Sequence, residues 1–251
     1  MLATAVAAAA VWGAWWFLSG RAQDATRLAI SFPADGSNVF RMGATLDWRS
    51  DSRGFDREVH TEFEGILTLR TLSKDADSAR IRAILDLSSL SVNGRPVTRP
   101  PTLRARIHAG SDGSAREGDY LNLPEPSAPI MLVATGLAPD LPSRPVSPGD
   151  EWTDTISLRM GTDRLEGSTR SRFLRYEEIY GVNAAVIQGT RRLKIDGGPP
   201  VQGKGSMTVD QTAWIDPDTG AVLRMSATVR FSLNARPAVL DGWDRYELHA
   251  V

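Results

Sequence analysis

Residues 221–233 read AVLRMSATVRFSL. Ala221, Leu223, Met225, Ala227, Val229, Phe231 and Leu233 alternate there with Arg224, Ser226, Thr228, Arg230 and Ser232. Successive side chains of a strand point to opposite faces, so this period predicts a strand with one face on a core and the other in water. Asp216-Pro217-Asp218-Thr219-Gly220 precedes it and supplies the residues a tight turn accepts.

The same period recurs in both directions from that stretch. In Val39–Ser50, Phe40, Met42, Ala44, Leu46 and Trp48 alternate with Arg41, Thr45, Asp47 and Arg49. Val59, Thr61, Phe63, Leu67 and Leu69 follow with Gly65 among them, then Ala79, Ile81, Ala83, Leu85 and Leu87, then Leu103, Ala105, Ile107 and Ala109. Asn93-Gly94 predicts a type I′ hairpin, because both residues tolerate positive φ. Later in the chain, strands are expected over Trp152–Met160, Leu165–Tyr176 (with Gly167 inside), Val182–Ile195, Gly205–Ile215 and Trp243–Val251. Seven of the 15 prolines fall between Pro124 and Pro148, which excludes a central strand or a long helix from that stretch. Ile130–Thr135 is expected as a short helix within it.

The expected organisation is therefore a first antiparallel β repeat over residues 23–123, a Pro-rich connection over 124–150 and a second β repeat over 151–251. Each half opens on an aromatic-bearing strand and then enters a long strand interrupted by glycine, which reads as a duplication. Glycine within a strand permits bends and close backbone approach, so Gly65 and Gly167 suit strongly curved sheets. The expected class is mainly β, with duplicated, strongly curved antiparallel sheets in a half-open barrel and an N-terminal hydrophobic helix.

That helix is expected over residues 1–22. Met1–Gly20 carries no charged side chain and just reaches the ~20 residues a bilayer span requires. Trp12, Trp15, Trp16 and Phe17 crowd its far end, as a membrane-interface belt does. Two readings fit: an uncleaved transmembrane anchor, or a signal peptide cut after the small residues around Gly20-Arg21-Ala22. No Lys or Arg precedes the apolar run, which departs from a standard signal peptide. Arg21 and Arg27 follow it and by literal count favour a cytoplasmic domain. Single N-terminal spans ahead of β domains more often serve export. The expected location is thus the cell membrane with an exported β domain, or the periplasm or exterior after cleavage.

The chemical inventory is thin. With no cysteine there is no disulfide or thiol chemistry. A net charge of −1 argues against a nucleic-acid or other general polyanion binder. His60, His108 and His249 stand apart from one another at no metal-ligand spacing. Asp75-Ala76-Asp77 and Asp216–Gly220 resemble calcium-loop fragments but lack the closing Glu, and read as turns. No catalytic residue, metal or cofactor is expected. Arginines cluster at Arg80 and Arg82, Arg104 and Arg106, Arg170, Arg172 and Arg175, and Arg191 and Arg192. Two readings fit them: the solvated face of strands, balanced by nearby carboxylates, or a basic face for lipid headgroups or an acidic partner.

The run from Leu141-Pro142-Ser143-Arg144-Pro145-Val146 into Pro148-Gly149-Asp150-Glu151-Trp152, together with Phe40–Thr45 and Asp216–Val222, resembles a family of uncharacterised bacterial envelope proteins. Many of its members are lipoproteins. The motifs are turn and strand-entry motifs, and this chain lacks the lipid-modified cysteine. The architecture also looks like the half-open barrels of LolA- and LppX-type carriers, which implies a lipid-like ligand on the inner apolar face.

Two readings fit that face, a plain packed core or a lipid-sized pocket; on the second, the candidate ligand-binding residues are Phe40, Met42, Leu46, Trp48, Phe63, Leu67, Leu69, Ile81, Leu85, Leu223, Met225, Val229 and Phe231. The expected function is that of a non-enzymatic envelope protein binding a hydrophobic ligand. The alternative is an accessory or scaffolding subunit that docks into an envelope complex through its span and sheet edges, with an envelope protein as partner.

Overall fold

The computed structural model describes residues 25–33, 36–52, 55–120, 139–160, 162–197, 203–235 and 238–251. The N-terminal segment with Trp12, Trp15, Trp16 and Phe17, and the helix expected at Ile130–Thr135, lie outside the described residues. Among the described residues no helix is long and apolar enough to cross a membrane.

Twelve strands follow one another: β1 (Ser37–Ser52), β2 (Phe55–Lys74), β3 (Ser78–Val92), β4 (Arg95–Pro96), β5 (Thr102–Gly110), β6 (Ala115–Tyr120), β7 (Glu151–Met160), β8 (Asp163–Ile179), β9 (Val182–Gly197), β10 (Gly203–Ile215), β11 (Val222–Ala235) and β12 (Ala238–Ala250). Their order is β2-β1-β12-β11-β10-β9-β8-β7-β6-β5-β3-β4, and β2 also pairs with β3. That extra pairing closes eleven strands into a barrel and, among the described residues, leaves β4 outside it. The expected half-open barrel is thus corrected to a closed one, for among the described residues every strand of the ring finds two partners. The free edge at β4 ends in Pro96, which has no N–H to offer a further strand.

An odd ring cannot be antiparallel throughout, because direction must alternate an even number of times around it. The exception is β6–β7, which pair in parallel through Glu117 with Arg159 and Gly118 with Met160. Parallel neighbours need a connection that returns along the barrel. Part of that return path runs inside. Leu141 and Val146 are buried at 4% and 0% exposure within the same core cluster as the strands. A Cβ on Gly189, on the inward face of β9, would lie 2.7 Å from Pro139 and 3.1 Å from Ser171 Oγ. Glycine at 189 is what lets the connection pass against the wall.

A second internal segment, Leu28–Phe32, closes the end that carries the β2–β3, β5–β6, β8–β9 and β10–β11 turns. Ile30 N–H donates to Ser111 O, Ser31 N–H to Gly220 O, and Thr26 pairs with Val146 in both directions. Tyr176 Oη lies 2.8 Å from Thr26 Oγ1, and its ring meets Phe173 edge-on at 5.0 Å between centroids. Leu28, Ile30 and Phe32 thereby join the core. Chain from both halves fills one lumen around a single core.

The local turns obey the residues that form them. Asn93 and Gly94 take φ of 52° and 73°, as the type I′ hairpin requires. The alternation of residues 221–233 holds from Met225 onward. At its start a bulge sets Trp214 opposite Arg224 and Ile215 opposite Val222. Val222 therefore takes the buried position expected for Leu223, which is only half-buried.

Candidate functional site

The inner wall is a packed core. Of the residues expected to line a ligand cavity, Phe40, Met42, Leu46, Leu67, Leu69, Ile81, Met225 and Val229 are all at most 2% exposed, and Phe63 and Leu85 reach only 6% and 4%. All of these but Leu46 share their cluster with Leu28, Ile30, Phe32, Leu141 and Val146 from the internal segments. The chain itself covers the face on which a ligand was expected.

Trp48 and Phe231 are different. Both are partly exposed, and they come together with Val59 and Trp243 around a cleft of about 750 Å³. The register explains the meeting: Trp48 lies opposite Val59 on β2 and Gly242 on β12, and Gly242 lies opposite Phe231 on β11. A Cβ at 242 would lie 2.6 Å from the Phe231 ring, so the ring occupies the space a side chain would take. Trp243, on the outward-facing register, is 44% exposed. An indole of that size is seldom left so open, and Trp243 was absent from the residues expected to bind.

A polar border surrounds these rings: Asp47, Arg49, Glu58, His60, Asn93, Arg230 and Asp241 also line the cleft. His60 is fixed on two sides. Its backbone exchanges hydrogen bonds with Asn93, N–H to Oδ1 and O from Asn93 N–H, both at 2.7 Å. Its Nδ1 lies 2.7 Å from Asp47 Oδ1 and its Nε2 3.5 Å from Glu62 Oε1. The hydrogen bond to Asp47, above all, raises the His60 pKa from its ordinary value; desolvation opposes it, and the charge of Asp47 and then Glu62 add to the rise. Arg230 is turned toward Asp210, with which it forms a close ion pair. The cleft thus joins an apolar floor to a hydrogen-bonding border.

The remaining candidates resolve into ordinary partners. His108 Nε2 lies 3.1 Å from Ser78 Oγ, and His249 Nε2 3.4 Å from Glu247 Oε2. Asp216 caps its own turn: Thr219 Oγ1 donates to Oδ2 at 2.6 Å and the Asp218 N–H to Oδ1 at 2.9 Å. The Thr219 hydroxyl, chiefly, lowers its pKa below the usual carboxylate range. Arg170 and Arg172 face Glu151, and Arg175 faces Glu177.

Sequence reasoning missed the polar residues of the lumen. Arg191, read with Arg192 as surface, points inward at 2% exposure and donates to Asp140 through Nε at 3.2 Å and Nη2 at 3.1 Å. Trp152 Nε1 donates to Asp140 O at 2.7 Å, which ties the returning connection to the wall. Asp244 lies between Leu46 and Val229 in the register at 1% exposure, and neither carboxyl oxygen has a hydrogen-bond partner of normal geometry. Burial pushes its pKa up to about 8; the Arg245 backbone N–H offsets part of this, and the charge of Asp47 adds to it. The signal was present in the strand period, since 244 shares parity with Tyr246 and Leu248.

The chain matches no protein-family model, and no curated protein matches it.

Proposed function

We propose that this chain is a non-enzymatic protein of the bacterial cell envelope that holds a lipid-like or other hydrophobic ligand, with the ligand's apolar part in the cleft at Trp48, Phe231 and Trp243. The observation that carries the reading is Trp243, 44% exposed beside two further aromatic rings in about 750 Å³ of space. Pockets that take small molecules have this size and this mixture of apolar floor and few polar groups. Covering the open part of such an indole is worth on the order of 2 kcal/mol. Because the lumen is filled by the chain's own residues, we take this cleft rather than the inner wall as the ligand site. The membrane address rests on the uncharged, aromatic-ended Met1–Gly20. Docking by sheet edges is the weaker alternative, since ring closure pairs most of the strand edges among the described residues.

The test is native mass spectrometry and lipid extraction of the full chain purified from bacterial membranes, followed by titration with a fluorescent acyl probe. Saturable probe binding should weaken about tenfold in Trp243→Ala, a loss near 1.4 kcal/mol, and hold in Met225→Leu on the inner wall. A ligand-free protein that shows no saturable probe binding would sink the proposal.

A further inference from the structure

Antiparallel register sets three arginines in one row across the outer wall. Arg70 on β2 lies opposite Arg82 on β3, and Arg82 lies opposite Arg106 on β5. Arg80, opposite His108, and Arg104, opposite Ile84, flank the row one step away on the same face. Like charges placed directly opposite one another destabilise a sheet. In the group on β8 the arginines are matched, Arg170 and Arg172 by Glu151 and Arg175 by Glu177. Among the described residues Arg70, Arg80, Arg82 and Arg104 form no ion pair. Arg82 Nε is also buried without a hydrogen-bond partner. The carboxylates nearest in the register are Asp86, which accepts from Thr102 Oγ1 at 2.7 Å, Glu117, opposite His108, and Asp119, which stands opposite Arg106 on β6 and ends the row there.

We infer that this arginine row is a docking surface for the phosphate headgroups of an anionic membrane. Two further features choose a bilayer over a soluble polyanion. Exposed apolar side chains border the row: Leu72, at 44%, lies in the bulge beside Arg70, and Ile66, at 37%, lies on the same outward register of β2. Basic groups interleaved with apolar ones suit a headgroup layer, where charge meets phosphate and carbon meets the acyl boundary. The row also lies toward the β2–β3 and β5–β6 turns, the end at which Thr26–Phe32 enters the barrel. The uncharged run Met1–Gly20 precedes that segment in the sequence.

The test uses the full chain and vesicles of phosphatidylcholine alone or with 30% phosphatidylglycerol, about that fraction being enough to set a negative surface potential. Because the chain lacks cysteine, Leu72→Cys can carry a single environment-sensitive fluorophore. Its emission should shift to the blue on phosphatidylglycerol vesicles, much less on phosphatidylcholine, and the shift should fade with added salt. At about fivefold per basic residue, the triple variant Arg70→Gln/Arg82→Gln/Arg106→Gln should weaken the phosphatidylglycerol-dependent part on the order of 100-fold. Arg170→Gln/Arg172→Gln/Arg175→Gln removes the same charge from the paired site and should leave it within about threefold. Equal loss in both triple variants, no preference for phosphatidylglycerol, or a shift with soluble polyphosphate in place of vesicles would overturn the inference. Should the triple variant misfold, the salt and lipid dependence of the labelled parent decides alone.

Discussion

Replacing Asp244 by Asn should stabilise this barrel, and by more at pH 7 than at pH 5. The carboxyl is 1% exposed and set between Leu46 and Val229, and burial pushes its pKa up to about 8 from the ordinary 3.8. The native chain therefore keeps a proton that the unfolded chain releases above about pH 4. A group raised in the folded state contributes stability that is complete below its unfolded pKa and lost as pH rises through the folded one. Between about pH 4 and 8 the loss runs at about 1.4 kcal/mol per pH unit. By pH 7 it amounts to about 4 kcal/mol, a large part of the 5–15 kcal/mol that holds a domain together. Asn keeps the shape and cannot ionise, so Asp244→Asn escapes this loss. The assay is urea unfolding of both chains at pH 5, 6 and 7 in one non-ionic detergent. The difference in unfolding free energy should widen by about 1.4 kcal/mol per pH unit in favour of Asp244→Asn. Parallel pH dependences, or a variant less stable than the parent at pH 7, would refute the reasoning.

Three further outcomes follow from the plugged lumen. Gly189→Val should cost about 1–3 kcal/mol by urea unfolding, since the new side chain meets Pro139 and Ser171 where only a hydrogen fits. Arg191→Met should cost about 3–5 kcal/mol, because it strands Asp140 in the barrel. Arg191→Met/Asp140→Leu should recover most of that loss; if the double variant is as unstable as the single one, the pair is not the reason for the cost.

Much of the wall was legible because its physics is local. Period-two alternation found β1, β2, β3, β5 and β7–β12, and Asn93-Gly94 marked its hairpin by backbone conformation alone. β6 escaped: Ala115–Tyr120 has almost no apolar alternation and pairs because its neighbours offer it partners. Tyr180-Gly181 also turns with positive φ, 52° and 76°, though tyrosine carries no turn signal. Arg191 escaped for another reason. Its partner Asp140 is 51 residues away in the chain, and only the return path of a parallel crossover brings the two together. The aromatic cleft was half legible, Trp48 and Phe231 by their parity. Trp243 joins it from the opposite face of β12, which no alternation pattern would pair with them.

By itself the sequence determined that this chain makes long amphipathic strands with tight turns, carries no thiol chemistry, and begins with an uncharged run long enough for a bilayer. Those properties depend on neighbours a few residues apart. Tertiary structure alone decided that the sheet closes, that eleven strands require one parallel pair, and that the resulting crossover fills the lumen. It also decided that Arg70, Arg82 and Arg106 stand in one row and that Asp244 is sealed in. Closure and register couple residues tens to hundreds of positions apart. Their free energy lies in pairing and burial between strands, which periodicity within any one strand cannot encode.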